Sequence, residues 1–362
     1  MIDFENRETY WIAIDIANQY GLDKKSFEYR VNWVKENFDN LQDFVDEADS
    51  TWEYVKAVKA LWQLRDGLVP QHMVYLDASN QALQLYAVLT GDFKTASTCN
   101  FANKDNMADA YKMLADQMNI EMGLTCFNRS NCKKALMTTM YGKISAWAKI
   151  LEEMYPKSSN PLLNFATEYN LTLEYDEEKG IDRLLELERA FSNALSTIAP
   201  KAISAMEAIQ ELNNKDIGTY YWTLLDGFRV KYNVKVETKI ECETVSRSGK
   251  KLTLSISKDI YVSGEHNRGM SPNVIHSVDG YVAREMIRRM NGKFITTIHD
   301  AFACHPSDCD LMRKNYQDIM VELLHSDLLN DILSQISGTK MEMNKDNGLT
   351  EEHIRTSQYY LG

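Results

Sequence analysis

Apolar residues Phe27, Val31, Val34, Phe38, Leu41 and Val45 recur every three or four positions through an early charged stretch, and this spacing predicts one amphipathic helix over 23–49. A second helical stretch carries Trp52, Val55, Leu61 and Trp62. The period then changes. Met73, Val74, Tyr75 and Leu76 form a short apolar run that reads as a buried strand ending at Asp77, with helix returning after it. Residues 106–213 read as helix-rich, interrupted around Pro156 to Pro161 and at Pro200. From Phe228 to Val262, β-branched residues and Leu alternate with charges on either side of Ser246-Arg247-Ser248-Gly249-Lys250-Lys251, which predicts two long strands joined by a basic turn. A further β run from Phe294 to Ile298 leads into His299-Asp300 and resumes through Phe302 and Ala303, before helix from about Asp308. No repeat, low-complexity segment or Gly/Ser linker divides the chain, so any lobes are expected to pack together and interleave in sequence.

Composition narrows the class. At 362 residues, 44% hydrophobic and 25% charged, the chain is expected to fold into about two lobes. It has no run of 18 apolar residues and no basic-then-apolar N-terminus, so neither a membrane span nor a signal peptide is expected, and the expected location is the cytoplasm. Six cysteines without a CxxC pair argue against a zinc ribbon and, in a cytosolic chain, against structural disulfides; buried or inert thiols are expected. The net charge of −12 sits awkwardly with phosphate binding, which draws on Lys and Arg. Either the cations cluster, or a partner supplies positive surface.

Three segments carry candidate chemistry. In Arg129-Ser-Asn-Cys-Lys133-Lys-Ala-Leu-Met137-Thr-Thr-Met-Tyr141-Gly142, four residues spaced four apart share one helical stripe, and Gly142 suits the helix end. Two cations at one end and a phenol at the other suit a nucleotide's phosphates and its base and sugar; the plainer reading is a solvated basic helix with Met137 and Tyr141 in the core. Asp77, at a strand end before Ala78-Ser79-Asn80-Gln81-Ala82, can project toward a ligand with the Ala78 carbonyl as a further hard donor, or can simply cap the next helix. Asp300 stands between two β runs and fits the tip of a tight strand-turn-strand, or a buried polar pair with His299. Two-metal phosphoryl transfer needs carboxylates that converge in this way.

In this order, the three segments resemble motifs A, B and C of the polymerases with a right-hand fold. The Arg-x-x-x-Lys and Tyr-Gly helix is shared by bacterial repair-type DNA polymerases and by the single-subunit RNA polymerases of bacteriophages and mitochondria. The RNA branch is the closer resemblance. Ala82 stands where the DNA enzymes carry a Glu that fills the ribose 2′-hydroxyl space, and His299-Asp300-Ala301-Phe302 is similar to the His-Asp-Ser-Phe of the RNA branch. Ser271 to Gly280 and Asp226-Gly227-Phe228 also resemble landmarks of that branch.

The resemblance implies a helix-rich α+β fold of palm and fingers, with a small antiparallel palm sheet. The first part of the palm would span 1–105, the fingers 106–275 with a motif B helix over 126–142, and the second part of the palm with the tail 276–362. Asp77, Asp300 and the Ala78 carbonyl would hold two Mg²⁺ ions. Arg129 and Lys133 would bind the triphosphate of an incoming rNTP, with Lys133 also a candidate proton donor to pyrophosphate. Tyr141 and His276 would sense the sugar and the nascent pair, with Ala82 leaving room for ribose. A specificity hairpin over 228–262 would offer Arg247, Lys250 and Lys251 to the DNA template, although an exposed basic tip could equally serve to prevent edge pairing. The family's thumb and N-terminal half are not found, and a Lys common in relatives is Ala13 here. The chain therefore most resembles the larger, catalytic subunit of the two-subunit middle-gene RNA polymerases of Enquatrovirus-like bacteriophages. That implies a virus-encoded protein in the host bacterial cytoplasm, a second polymerase subunit, an RNA product, viral transcription, and room for a helper protein in template opening. Competing readings are a DNA polymerase fragment and a catalytically idle DNA-binding regulatory subunit.

Overall fold

The computed structural model describes residues 2–103, 107–142, 146–178, 180–212, 218–233, 236–245, 248–260 and 269–362. The chain opens with helices α1 (Arg7–Tyr20), α2 (Phe27–Glu36) and α3 (Thr51–Arg65), then strand β1 (Val74–Asp77). Helices α4 (Gln81–Thr90), α5 (Phe93–Thr98), α6 (Ala110–Met122), α7 (Arg129–Met140), α8 (Ala148–Met154) and α9 (Pro161–Glu168) follow. A short hairpin of β2 (Glu174–Asp176) and β3 (Ile181–Arg183) leads to α10 (Leu185–Ile198) and α11 (Pro200–Glu211). Two more hairpins come next: β4 (Thr219–Thr223) with β5 (Arg229–Asn233), and β6 (Val236–Val245) with β7 (Lys251–Ile260). The long α12 (Met270–Arg289), strands β8 (Ile295–Ile298) and β9 (Ala301–Cys304), and helices α13 (Cys309–His325), α14 (Leu328–Ser337) and α15 (Glu351–Thr356) complete the chain. The result is helix-rich α+β with small antiparallel sheets, the fold class that the resemblance implies.

Helix α4 is the hub. All ten of its residues, Gln-Ala-Leu-Gln-Leu-Tyr-Ala-Val-Leu-Thr, are buried: the apolar ones surround the helix, and Gln84 donates to the Cys99 and Tyr360 carbonyls and accepts from the Tyr316 hydroxyl. It packs against α5, α11, α12 and α13. Asn80 caps its start by accepting from the Leu83 N–H at 3.2 Å, and Gly91 ends it in the left-handed region at φ +65°. Gly91 also lies against the Lys345 backbone: a Cβ there would sit 2.0 Å from the Lys345 carbonyl oxygen. Gly91→Ala is therefore expected to destabilise the fold by at least about 2 kcal/mol, read as a lower urea midpoint with unchanged slope.

The sheet that carries the two acids has the order β1-β9-β8, with every neighbour antiparallel. In β1, Val74 and Leu76 are buried while Tyr75 and Asp77 take the other face, the alternation a pleated strand imposes. β8 and β9 are joined by the two residues His299 and Asp300, and His299 adopts φ +55°, the left-handed conformation that a two-residue hairpin turn requires.

Four differences from the sequence reading have local causes. The helix expected over 23–49 stops at Glu36, because Asn37 caps it, its side-chain amide donating to the Trp33 carbonyl at 2.7 Å; Phe38–Glu47 then forms 3₁₀ turns. The two long strands expected on either side of the basic turn are present as β6 and β7, paired antiparallel, but the range 228–262 also holds β5, which pairs back onto β4 around a turn at Gly227 with φ +77°. The β2–β3 hairpin was hidden by its brevity and its exposed, charged side chains. The helix expected over 126–142 is shorter, Arg129–Met140, bounded by a capping box at Asn128 and by Tyr141 and Gly142.

Of the expected lobe boundaries, that at 105/106 lies outside the described residues and that at 275/276 falls within α12. Cys99, Cys132, Cys304 and Cys309 are free and buried, and Cys126 is free and half-buried. Among the described residues, no helix is long and apolar enough to cross a membrane.

Candidate active site

Register brings the two acids together. Asp77 pairs with Ala301 across β1 and β9, which sets it beside the His299-Asp300 turn, and the Ala78 N–H donates to the Asp300 carbonyl at 3.3 Å. The C-terminal segment braces the same strand end: the Gly362 N–H donates to the Asp77 carbonyl at 3.0 Å, and the Ser79 N–H to the Tyr360 carbonyl at 3.2 Å. Arg313, buried against Trp11, Phe27 and Tyr360, holds that segment by donating to the Leu361 and Gln358 carbonyls.

These residues form the floor of a cleft of about 290 Å³, lined by Asp77, Ala78, Gln81, Ala82 and Asp300, with Arg129, Lys133, Met137 and Tyr141 from the α7 segment on one wall. Its electrostatics are those of two acids held close. Burial and then the charge of Asp300 push the Asp77 carboxyl up to about 6, against the pull of the Ala78 N–H and the Lys24 and Lys133 charges. Burial also raises Asp300, opposed by its own backbone N–H and by His299. Asp77 keeps surface open to the cleft, so the pair is crowded yet reachable. Crowded carboxylates of this kind are what a divalent cation relieves, and two acids with the nearby Ala78 carbonyl suit hard oxygen-seeking ions. Among the described residues no group of three or more His, Cys, Asp or Glu side chains is placed to hold a metal ion.

The stripe on α7 is present, and its members are in different states. Arg129 donates from Nε to Asp109 at 2.5 Å and lies over the Tyr111 ring at 5.4 Å. Asp109 in turn caps α6, accepting from the Tyr111 and Lys112 N–H groups at 3.0 and 3.1 Å. Lys133 is exposed and makes no hydrogen bond or ion pair among the described residues. Tyr141, just past the helix end, stacks on His276 of α12 with ring centres 4.7 Å apart and planes 10° apart. Burial, then the charges of Asp300 and Asp279, push its phenol up to about 12. Burial and then the charge of the neighbouring His299 lower His276, favouring its neutral imidazole.

The structure thus brings Asp77, Ala78, Ala82, Asp300, Arg129, Lys133 and Tyr141 to one cleft, with His276 behind Tyr141. It does not bring the hairpin there. Arg247 lies outside the described residues; Lys250 and Lys251 are exposed at the β6–β7 tip, and no described residue of that hairpin lines the cleft. Two expected landmarks do meet each other: Arg284 of α12 donates to Asp226 at 2.6 Å and covers the Phe228 ring at 4.3 Å. Sequence reasoning missed Asp109, Tyr111, Gln81, Asp279 and Lys24. Lys24 enters the cleft from the α1–α2 connection, paired with Asp23 at 2.6 Å, and nothing in its local sequence signals this. Asp109, preceding an apolar run, carried a helix-cap signal only.

Comparison with known proteins adds an independent line. Residues 3–359 match the family described as DNA-dependent RNA polymerase. The chain is 25% identical over 382 residues to a probable DNA-directed RNA polymerase of Gelasinospora sp., an alignment that covers 93% of this chain and 44% of that protein. It is 24% identical over 402 residues to the mitochondrial DNA-directed RNA polymerase of Neurospora crassa, covering 90% and 28%. With the DNA-directed RNA polymerase of Pseudomonas phage phiKMV it shares 21% over 413 residues, covering 97% and 47%. The chain spans less than half the length of each of these relatives.

Proposed function

Because the chain belongs to the DNA-dependent RNA polymerase family, we propose that its cleft is the site where a template-directed RNA polymerase adds a ribonucleotide to the RNA 3′ end. The observation that carries this is the convergence of Asp77 and Asp300 through one backbone hydrogen bond, facing the α7 wall of Arg129, Lys133 and Tyr141. In this reading the β1-β9-β8 sheet is the palm, the region around α7 belongs to the fingers, and the relatives' dependence on a DNA template carries over.

Asp77 and Asp300, with the Ala78 carbonyl, would hold two Mg²⁺ ions, which when bound supply Lewis acidity to the attacking hydroxyl and the leaving phosphate. The remaining work belongs to the chain. Arg129, already fixed by Asp109 and Tyr111, presents its remaining N–H groups, and Lys133 presents an uncommitted ammonium, to the triphosphate. As the RNA 3′ oxygen bonds to the α-phosphorus, the bond to pyrophosphate breaks; the hydroxyl proton passes to water, and Lys133 would donate a proton to the departing pyrophosphate and regain one from solvent. Tyr141, braced flat on His276, offers a ring face to the nascent pair. Ala82, small and at the floor, leaves space for the ribose 2′-hydroxyl.

The test is extension of a primed RNA on a DNA template by the purified chain with Mg²⁺. Preference for rNTPs over dNTPs supports the reading; preference for dNTPs assigns the chain to DNA synthesis; no addition of either, by the chain alone or together with the chain that co-purifies from its native source, overturns it. The expectation of an obligate second polymerase subunit comes from the sequence resemblance, and native co-purification followed by run-off transcription with and without the co-purifying chain tests it.

A further inference from the structure

Beside the two acids, two buried polar atoms have no partner among the described residues. Gln81, the first residue of α4, is 3% exposed, and its Nε2 has no hydrogen-bond partner. Asp279, on α12, has a buried Oδ1 in the same state. The two groups face each other. Burial and then the charge of Asp300 push the Asp279 carboxyl up to about 6, against the pulls of His299 and, more weakly, of the Gln81 amide, whose Nε2 approaches Asp279 without the geometry of a formed hydrogen bond. An unsatisfied buried donor or acceptor costs about 1–3 kcal/mol, so this arrangement gains from a small movement that pairs the two.

The pairing has a direction. An ionised carboxylate only accepts, so it draws the Gln81 Nε2 toward itself and turns the amide oxygen the other way, toward the cleft that Gln81 lines. The place along the cleft follows from the neighbours. Asp279 lies three residues beyond His276 on α12, and its charge is felt at Tyr141, whereas the cations Arg129 and Lys133 stand nearer the start of α7. Gln81 also adjoins Ala82. The amide oxygen therefore faces the end of the cleft marked by Tyr141 and His276 rather than its phosphate-binding end.

We propose that Gln81, held in orientation by Asp279, accepts a hydrogen bond from the ribose 2′-hydroxyl of the incoming nucleotide, making Gln81 a ribose-specificity residue and Asp279 its positioning residue. Where Ala82 only permits a ribose, Gln81 rewards it. The inference rests on the polymerase reading of the same cleft.

A 2′-fluoro nucleotide separates donor from acceptor, because fluorine keeps the size of the hydroxyl but cannot donate. Single-nucleotide addition by the wild-type protein with ATP, dATP and 2′-fluoro-dATP is the first measurement, and the fluoro analogue is expected to be handled like dATP. In Gln81→Leu, kcat/KM for ATP is expected to fall about tenfold while that for dATP stays within about twofold, so the ratio between them falls about tenfold. Asp279→Asn, which frees the amide to turn over, is expected to lower the same ratio without lowering the melting temperature. A fluoro analogue handled like ATP, or an unchanged ratio in Gln81→Leu, overturns the proposal while leaving the polymerase reading intact. A wild-type protein that adds neither ATP nor dATP, alone or with the chain that co-purifies from its native source, overturns the polymerase reading itself, and this inference with it.

Discussion

Asp300→Asn is expected to lose nucleotide addition by about a thousandfold or more, while the metal-free protein becomes more stable near neutral pH. Both results follow from the crowding of two carboxylates at one strand end. In the folded chain Asp77 holds its proton up to about pH 6, whereas the unfolded chain releases it near the ordinary value of 3.8. Between these values the folded state binds more protons, so the Asp77 contribution to stability falls as pH rises from about 4 to about 6, and above that the full penalty is present. Removing the Asp300 charge removes part of that penalty. Because Asp77 retains solvent-facing surface, the gain is on the order of 1 kcal/mol rather than the value its shift alone would suggest. Thermal unfolding without metal should show the variant above the wild type at pH 7.5 and the gap closing as pH falls below 6. Added Mg²⁺ should raise the wild-type midpoint and leave the variant nearly unmoved. A variant that keeps its activity, or one that Mg²⁺ stabilises as strongly as the wild type, removes Asp300 from the metal-binding role.

How much of this was legible in the chain depended on how local each cause was. The β1 strand and its terminal Asp77 were readable because an apolar run of strand length ends abruptly in a carboxylate. The His299-Asp300 turn was readable because two β runs leave only two residues between them. The stripe on α7 was readable because helical spacing alone aligns Arg129, Lys133 and Met137. The state of each group was not. That Arg129 is already engaged depends on Asp109, twenty residues away; that Tyr141 is braced depends on His276, on a different helix. Lys24 and Asp279 reach the site only because the α1–α2 connection and α12 are packed there by burial elsewhere in the core. The misread helix over 23–49 makes the same point from the other side. Its apolar spacing continues smoothly through Asn37, and only a side-chain bond to the Trp33 carbonyl converts the continuation into 3₁₀ turns.

Lys133→Ala is expected to lower kcat/KM for the incoming nucleotide on the order of a hundredfold, and the reason is that no other cation in the cleft is equally uncommitted. Arg129 is bound to Asp109 and Lys24 to Asp23, whereas the Lys133 ammonium lines the cleft with no partner among the described residues. Its charge also helps keep Asp77 ionised. Without it the Asp77 carboxyl titrates higher, so the pH at which Mg²⁺ binding reaches half its plateau should move upward in Lys133→Ala. Lys133→Arg separates the two roles. It restores a positive charge, and with it KM and the pH dependence of metal binding, but a guanidinium does not release a proton near neutral pH, so kcat should stay low if Lys133 protonates pyrophosphate. Full recovery of kcat in Lys133→Arg would restrict Lys133 to phosphate binding, and an unaltered kcat/KM in Lys133→Ala would move the triphosphate away from α7 altogether.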